Sequence, residues 1–218
     1  MRRDAEKIAR KIVALFGERY SILLGIDVDS GDSKEAFKWL LAAVLYSAPI
    51  RESSATKTYR VFEREKVLSP KKILETGWEG LVGMLDEGTY TRYDFKTADK
   101  LLELAKNLER NWGGDLNRLR AASKTRQGLE ANLKVLAKGI GNATVSVFLR
   151  EMRVAWKTAP APTQLESLAA KKLGLAPIEE LEEKLRKKGW RERQFIALET
   201  GLMRLGRDFF RKGRPSPL

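Results

Sequence analysis

Apolar residues recur every three to four positions along most of the chain, which is the spacing of helix faces. Ile8, Ile12, Val13 and Phe16 mark one stripe of an N-terminal helix. The stretch 37–48 is apolar almost all round, which predicts a buried central helix stopped by Pro49. Residues 52–66 predict the next helix, and Ser69-Pro70 reads as an N-cap followed by proline at the first helical position. A segment over 78–85, a loop over 86–93, a helix over 96–110 and a break at Gly113-Gly114 follow. Two periodic segments, 127–137 and 142–156, flank a two-glycine turn. A Pro-rich loop over 158–162 leads into Thr163-Gln-Leu-Glu166, a capping-box pattern, and two more helices are predicted over 178–188 and 191–210. Only 20–28 breaks the pattern, reading as a short strand or an extended link. The expected class is all-α.

The turn Lys138-Gly139-Ile140-Gly141-Asn142 carries the first chemical hint. Glycines permit positive φ and let a foreign backbone approach closely. A helix opening at Asn142 aims free N–H groups outward, which suits an anion, and Lys138 stands beside it.

Charge says which anion. The 218 residues hold 42 Lys+Arg against 29 Asp+Glu, a net charge of +13, which suits a nucleic acid or an acidic surface. Between Lys184 and Arg214 stand 11 basic residues and three acids, a clustering that predicts a binding face. The absence of Cys and His excludes Cys-ligated iron–sulfur clusters, Cys/His zinc sites, a thiol nucleophile and a histidine general base. No metal and no cofactor is expected. Abundant Lys and Glu with three Gln and five Asn fit a thermophile. No signal-peptide stretch and no 18-residue apolar run occurs, so a cytoplasmic, nucleoid-associated protein without a membrane partner is expected.

From about Ser33 to Arg214 the order of features resembles the endonuclease III family of the helix-hairpin-helix DNA glycosylase superfamily, in an archaeal-type form lacking the iron–sulfur cluster. Leu40 through Glu52 is similar to that family's buried helix and the Ser-Ala turn after it; Tyr93-Asp-Phe-Lys-Thr-Ala-Asp99 resembles the segment following its DNA-wedging loop. Residues 138–142 match its hairpin, 156–162 its next loop, and 205–215 its final helix and basic exit. The resemblance implies two helical lobes with a DNA-binding cleft: 1–30 with 140–218, and 31–139, with the hairpin motif over about 127–155. It also implies a monomer that binds double-stranded DNA carrying a damaged or modified base and excises that base by nucleotide flipping.

Two departures touch the chemistry. Where lyases of the family carry a Schiff-base lysine this chain has Ala143, and where the family has an Asp it has Ala161 or Pro162. The chain therefore reads either as a glycosylase, with or without AP lyase activity, whose catalytic groups are relocated, or as a non-catalytic DNA-binding paralogue. A helical scaffold for acidic proteins or lipid is a third reading, which the hairpin disfavours. Candidates for relocated catalysis are Glu52, Asp94, Lys96, Lys138, Glu151 and Glu166; each has a plain competitor, Glu166 as capping-box partner of Thr163 above all. DNA contacts are expected from Lys138, Gly139, Ile140, Gly141, Asn142, Thr144, Tyr90, Arg92, Arg207 and Arg211. A base pocket is expected from Ser47, Pro49, Tyr93 and Trp156.

Overall fold

Periodicity becomes helix throughout the computed structural model, which describes residues 4–218 and has no strand among them. α1 (Ala5–Phe16) starts where the Asp4 carboxylate accepts the Glu6 N–H. α2 (Tyr20–Leu24) is one short turn, followed by a 3-10 turn, Val28–Ser30. The Asp32 carboxylate then caps α3 (Ser33–Tyr46). α4 (Glu52–Arg64), α5 (Pro70–Glu87), α6 (Asp94–Trp112), α7 (Leu116–Ala122) and α8 (Arg126–Lys134) follow in order. α9 (Asn142–Glu151) and α10 (Arg153–Trp156) leave the two-glycine turn, and α11 (Gln164–Lys172), α12 (Ile178–Lys187) and α13 (Glu192–Asp208) complete the chain before a last 3-10 turn, Phe210–Lys212.

The chain divides into two compact units. One is Leu24–Thr158; the other joins the residues up to 23 with Ala159–Leu218. In the first, α3 is the centre: every residue from Ala36 to Leu45 except Lys38 is buried. α4 and α9 pack on it. Trp39 donates its indole N–H to the Phe148 carbonyl of α9 at 3.0 Å. Each large apolar side chain buried this way contributes roughly 1.5–3 kcal/mol. In the second unit α13 packs against α1 and α11 around Ile12, Leu173, Phe195, Leu198 and Leu202.

Several boundaries differ from the expectation. The lobe borders drawn at 30 and 139 fall instead at 23 and 158. The reason is local: α9 is held by α3, and α10 packs on the Val28–Ser30 turn. Tyr20–Leu24 form a helical turn, with Tyr20, Ser21 and Leu24 buried and Ile22 and Leu23 exposed, whereas residues 25–27 are a short link, with Ile26 buried between exposed Gly25 and Asp27, that leads into the 3-10 turn. α5 is interrupted at Gly77, whose φ of +70° lies outside the helical region. α7, which periodicity alone does not mark, is started by the Asp115 carboxylate and held by buried Leu116 and Leu119.

Candidate nucleic-acid interface

The hairpin is built from the inside out. Leu136, Ala137 and Ile140 are buried and anchor the turn, and the Ile140 N–H donates to the Ala137 carbonyl at 3.1 Å. Lys138, Gly139, Gly141, Asn142 and Ala143 are exposed. Gly139 adopts φ +89°, a conformation that strains any L side chain. Gly141 is the N-cap of α9 in ordinary extended geometry, φ −106° and ψ −172°, and no side chain caps the helix. A Cβ built on Gly141 meets nothing within 4 Å. A helix N-terminus without a side-chain cap, approached by backbone with no side chain in the way, can receive an anionic oxygen.

α6 braces this turn through a stripe that sequence reading missed. Glu103 accepts the backbone N–H of Lys138 at 2.8 Å, and the Asn107 amide donates to the Leu136 carbonyl at 3.0 Å. One turn earlier, Lys100 lies against the glycine: a Cβ on Gly139 would stand 3.0 Å from its Cε and 3.5 Å from its Nζ. Half-burial pushes the Lys100 ammonium below the ordinary lysine range. The only signal in the sequence is the spacing of 100, 103 and 107, one face of a helix. From the other side, Ser47 Oγ and Thr144 Oγ1 share a hydrogen bond of 2.7 Å, joining the end of α3 to the first turn of α9.

The expected site residues separate into groups. Lys138, Gly139, Gly141 and Asn142 stand exposed at the turn, whereas Ile140 and Thr144 face inward and act as its anchors. Ser47 reaches this region through Thr144; Pro49 is exposed beyond α3. Tyr90 is 1 % exposed, with its hydroxyl on the Leu45 carbonyl and its pKa pushed up to about 12 by burial, so it is a core residue and offers no stacking face. Trp156 is also core: its indole N–H donates to Asn117 and its ring meets Phe148 edge-on. Tyr93 is half-buried under the exposed Arg92 guanidinium, which lies 5.5 Å from the ring centroid.

Among the catalytic candidates, Lys96 is exposed on α6 and Glu52 is half-buried at the first residue of α4. Asp94 opens α6 and accepts the Phe95 N–H at 2.7 Å. Burial, with the hydrogen bond and negative charge of Asp94, raises the neighbouring Asp86 above the usual aspartate range. Glu151 is 1 % exposed. Glu166, 2 % exposed, accepts the backbone N–H of Thr163 and completes the capping box. Arg207, in the terminal unit, is half-buried and chelates Asp208 with two nitrogens; Arg211 is exposed after α13.

The basic run over 184–214 is largely neutralised. Lys184 pairs with Glu180, Lys187 with Glu183, Arg186 with Glu192 and Lys188 with Glu6. Three of these acids lie outside the counted window, one helical turn upstream or on α1, which a linear charge count does not see. Among the described residues no helix is long and apolar enough to cross a membrane. Comparison with known proteins finds no matching family model and no matching curated protein.

Proposed function

We propose that this chain is a DNA-repair protein of the helix-hairpin-helix glycosylase type, which grips duplex DNA through the α8–α9 hairpin and excises a damaged or modified base after flipping it from the stack. The observation that carries the reading is the N-terminus of α9: exposed, without a side-chain cap, and entered through Gly139 and Gly141, where a side chain would either strain the turn or block an approaching backbone. Contacts of this kind go to phosphate oxygens, position the strand and carry no sequence information.

Excision requires either a carboxylate that takes a proton from water as the water oxygen attacks the sugar C1′, or an amine that attacks C1′ itself, and in both cases the C1′–N bond breaks and the base leaves with its electron pair and takes up a proton. We assign the carboxylate to Glu52, half-buried at the start of α4, and the amine to the exposed Lys138, since Glu151 and Glu166 are buried and Glu166 is committed to its cap. A second reading, a non-catalytic DNA-binding paralogue, is favoured by that same commitment together with Ala143. Oligonucleotides carrying uracil, hypoxanthine, oxidised pyrimidines, 8-oxoguanine, modified cytosines or abasic sites distinguish the two. Strand breaks after alkali at the modified bases establish a glycosylase, breaks at the abasic site without alkali a lyase, and a borohydride-trapped adduct an amine nucleophile. Binding without release across the panel establishes the paralogue, and absence of duplex binding ends both readings.

A further inference from the structure

Several cations of this protein are held in ion pairs with a carboxylate, whereas a group beside the hairpin is not. Lys72 pairs with Glu75, Arg64 with Glu87, Lys38 with Glu35, and the run over 184–188 with acids of α1, α12 and α13. Lys96, Lys100 and the Lys138 side chain have no ion-pair partner among the described residues. Arg92 lies over the Tyr93 ring and has no ion pair either. The nearby acids are engaged elsewhere: Asp99 accepts the Trp78 indole N–H at 2.9 Å, Asp94 the Phe95 N–H, and Glu103 the Lys138 N–H.

Lys96 and Lys100 lie one turn apart on one face of α6, with Cβ atoms about 5–6 Å apart, and Arg92 stands in the turn just before the helix. From Lys96 to Lys100 the helix rises about 6 Å at 1.5 Å per residue. The Lys100 end meets the hairpin, because the Lys100 ammonium lies against Gly139 and Glu103 fixes Lys138 one turn on. The ammonium is half-buried with no carboxylate to compensate it, and an anion delivered to the turn would supply that compensation.

We infer that Lys96 and Lys100 of α6, with Arg92 in the turn before it, form a second phosphate-binding track, continuous with the hairpin, along which one DNA strand runs toward the 86–93 loop. The inference rests on the proposed DNA-binding function and extends its footprint. At an axial rise of about 3.4 Å per nucleotide, the roughly 6 Å between Lys96 and Lys100 matches two successive or next-but-one phosphates of one strand. Lys100 is the junction, touching the hairpin glycine on one side and continuing the track on the other.

The test is the salt dependence of duplex binding by the full chain, read by fluorescence anisotropy between about 50 and 200 mM salt. Each phosphate contact adds about 0.9 to the slope of log K against log salt, so Lys96→Gln with Lys100→Gln should lower the slope by about 1.8. The same relation makes the expected loss about five-fold per contact at 0.15 M, or roughly thirty-fold for the pair. Lys100→Arg should restore most of its share. Lys184→Gln with Lys187→Gln, which removes the same charge from ion-paired positions, should leave the slope close to that of the parent. A parent that binds DNA with a slope unchanged in the α6 double variant overturns this inference and leaves the hairpin reading standing. An equal loss in the control pair also overturns it, by showing a response to net charge alone. A parent that does not bind duplex DNA at all overturns the functional reading itself.

Discussion

Replacing Gly141 with alanine asks whether a foreign backbone comes to the hairpin. In the free protein the added methyl projects into open space, with nothing within 4 Å, and φ −106° with ψ −172° suits any residue. Two small effects on stability oppose each other. Alanine stiffens the unfolded chain, worth about 0.4–1 kcal/mol in favour of folding. Alanine is also a poorer N-cap than glycine, by up to about 1 kcal/mol. The net change should stay within about 0.5 kcal/mol, a shift of at most about 2 °C for a chain of this size. On the proposed docking, the methyl would stand between a phosphate oxygen and the first-turn N–H groups. Losing one hydrogen bond to a charged acceptor costs about 1.5–3 kcal/mol, which is roughly a 10- to 150-fold weaker Kd. Anisotropy titration of a labelled duplex at fixed salt, beside a thermal melt of both proteins, measures the two quantities independently. Parent-like affinity together with a parent-like melt would refute the idea that DNA docks on this N-terminus.

Gly139→Ala should behave differently, because at φ +89° alanine costs about 1–2 kcal/mol and its methyl displaces Lys100; a melt several degrees lower is expected, and an unshifted one would contradict the turn geometry. Glu103→Ala removes the acceptor of the Lys138 N–H and should weaken DNA binding with little change in salt slope, whereas Glu103→Gln, which keeps an acceptor, should recover most of it. Thr163→Val deletes the hydroxyl of the capping box and should cost about 1 kcal/mol in a denaturant titration. Asp86 is raised above its unfolded value, so the fold holds its proton longer and stability declines as pH rises from the unfolded value of 3.8 through the folded one. Asp86→Asn should therefore melt higher than the parent at pH 7 and like it at pH 3; the opposite order would refute a carboxyl raised by desolvation and by Asp94.

Much of the fold was legible because the sequence marks its own ends. Ser69-Pro70 and the Thr163–Glu166 box open helices where their residue types require, and the all-round apolar run after Phe37 becomes the buried α3. The hairpin was equally legible, since glycines at a positive φ and at an open N-cap have a local cause. What was not legible depends on contacts distant in sequence. Tyr90 and Trp156 look like stacking residues until Leu45 and Asn117 take up their polar groups. The 184–214 run looks like a free basic face until Glu180, Glu183 and Glu6 arrive across helix turns. Lys100 shows no motif at all, because its place is set by α6 crossing the hairpin.

The terminal unit is assembled from the two extremities of the described chain, with all of Leu24–Thr158 between them. During synthesis α1 therefore emerges with its Ile12 stripe exposed and must wait for α13 before it is covered. The intervening unit can form first and act as a tether that holds the two segments near each other, reducing the loop-closure entropy of their meeting. Folding should consequently be ordered, with the α3-centred unit acquiring protection before α1, a sequence of events that pulsed hydrogen exchange can read directly.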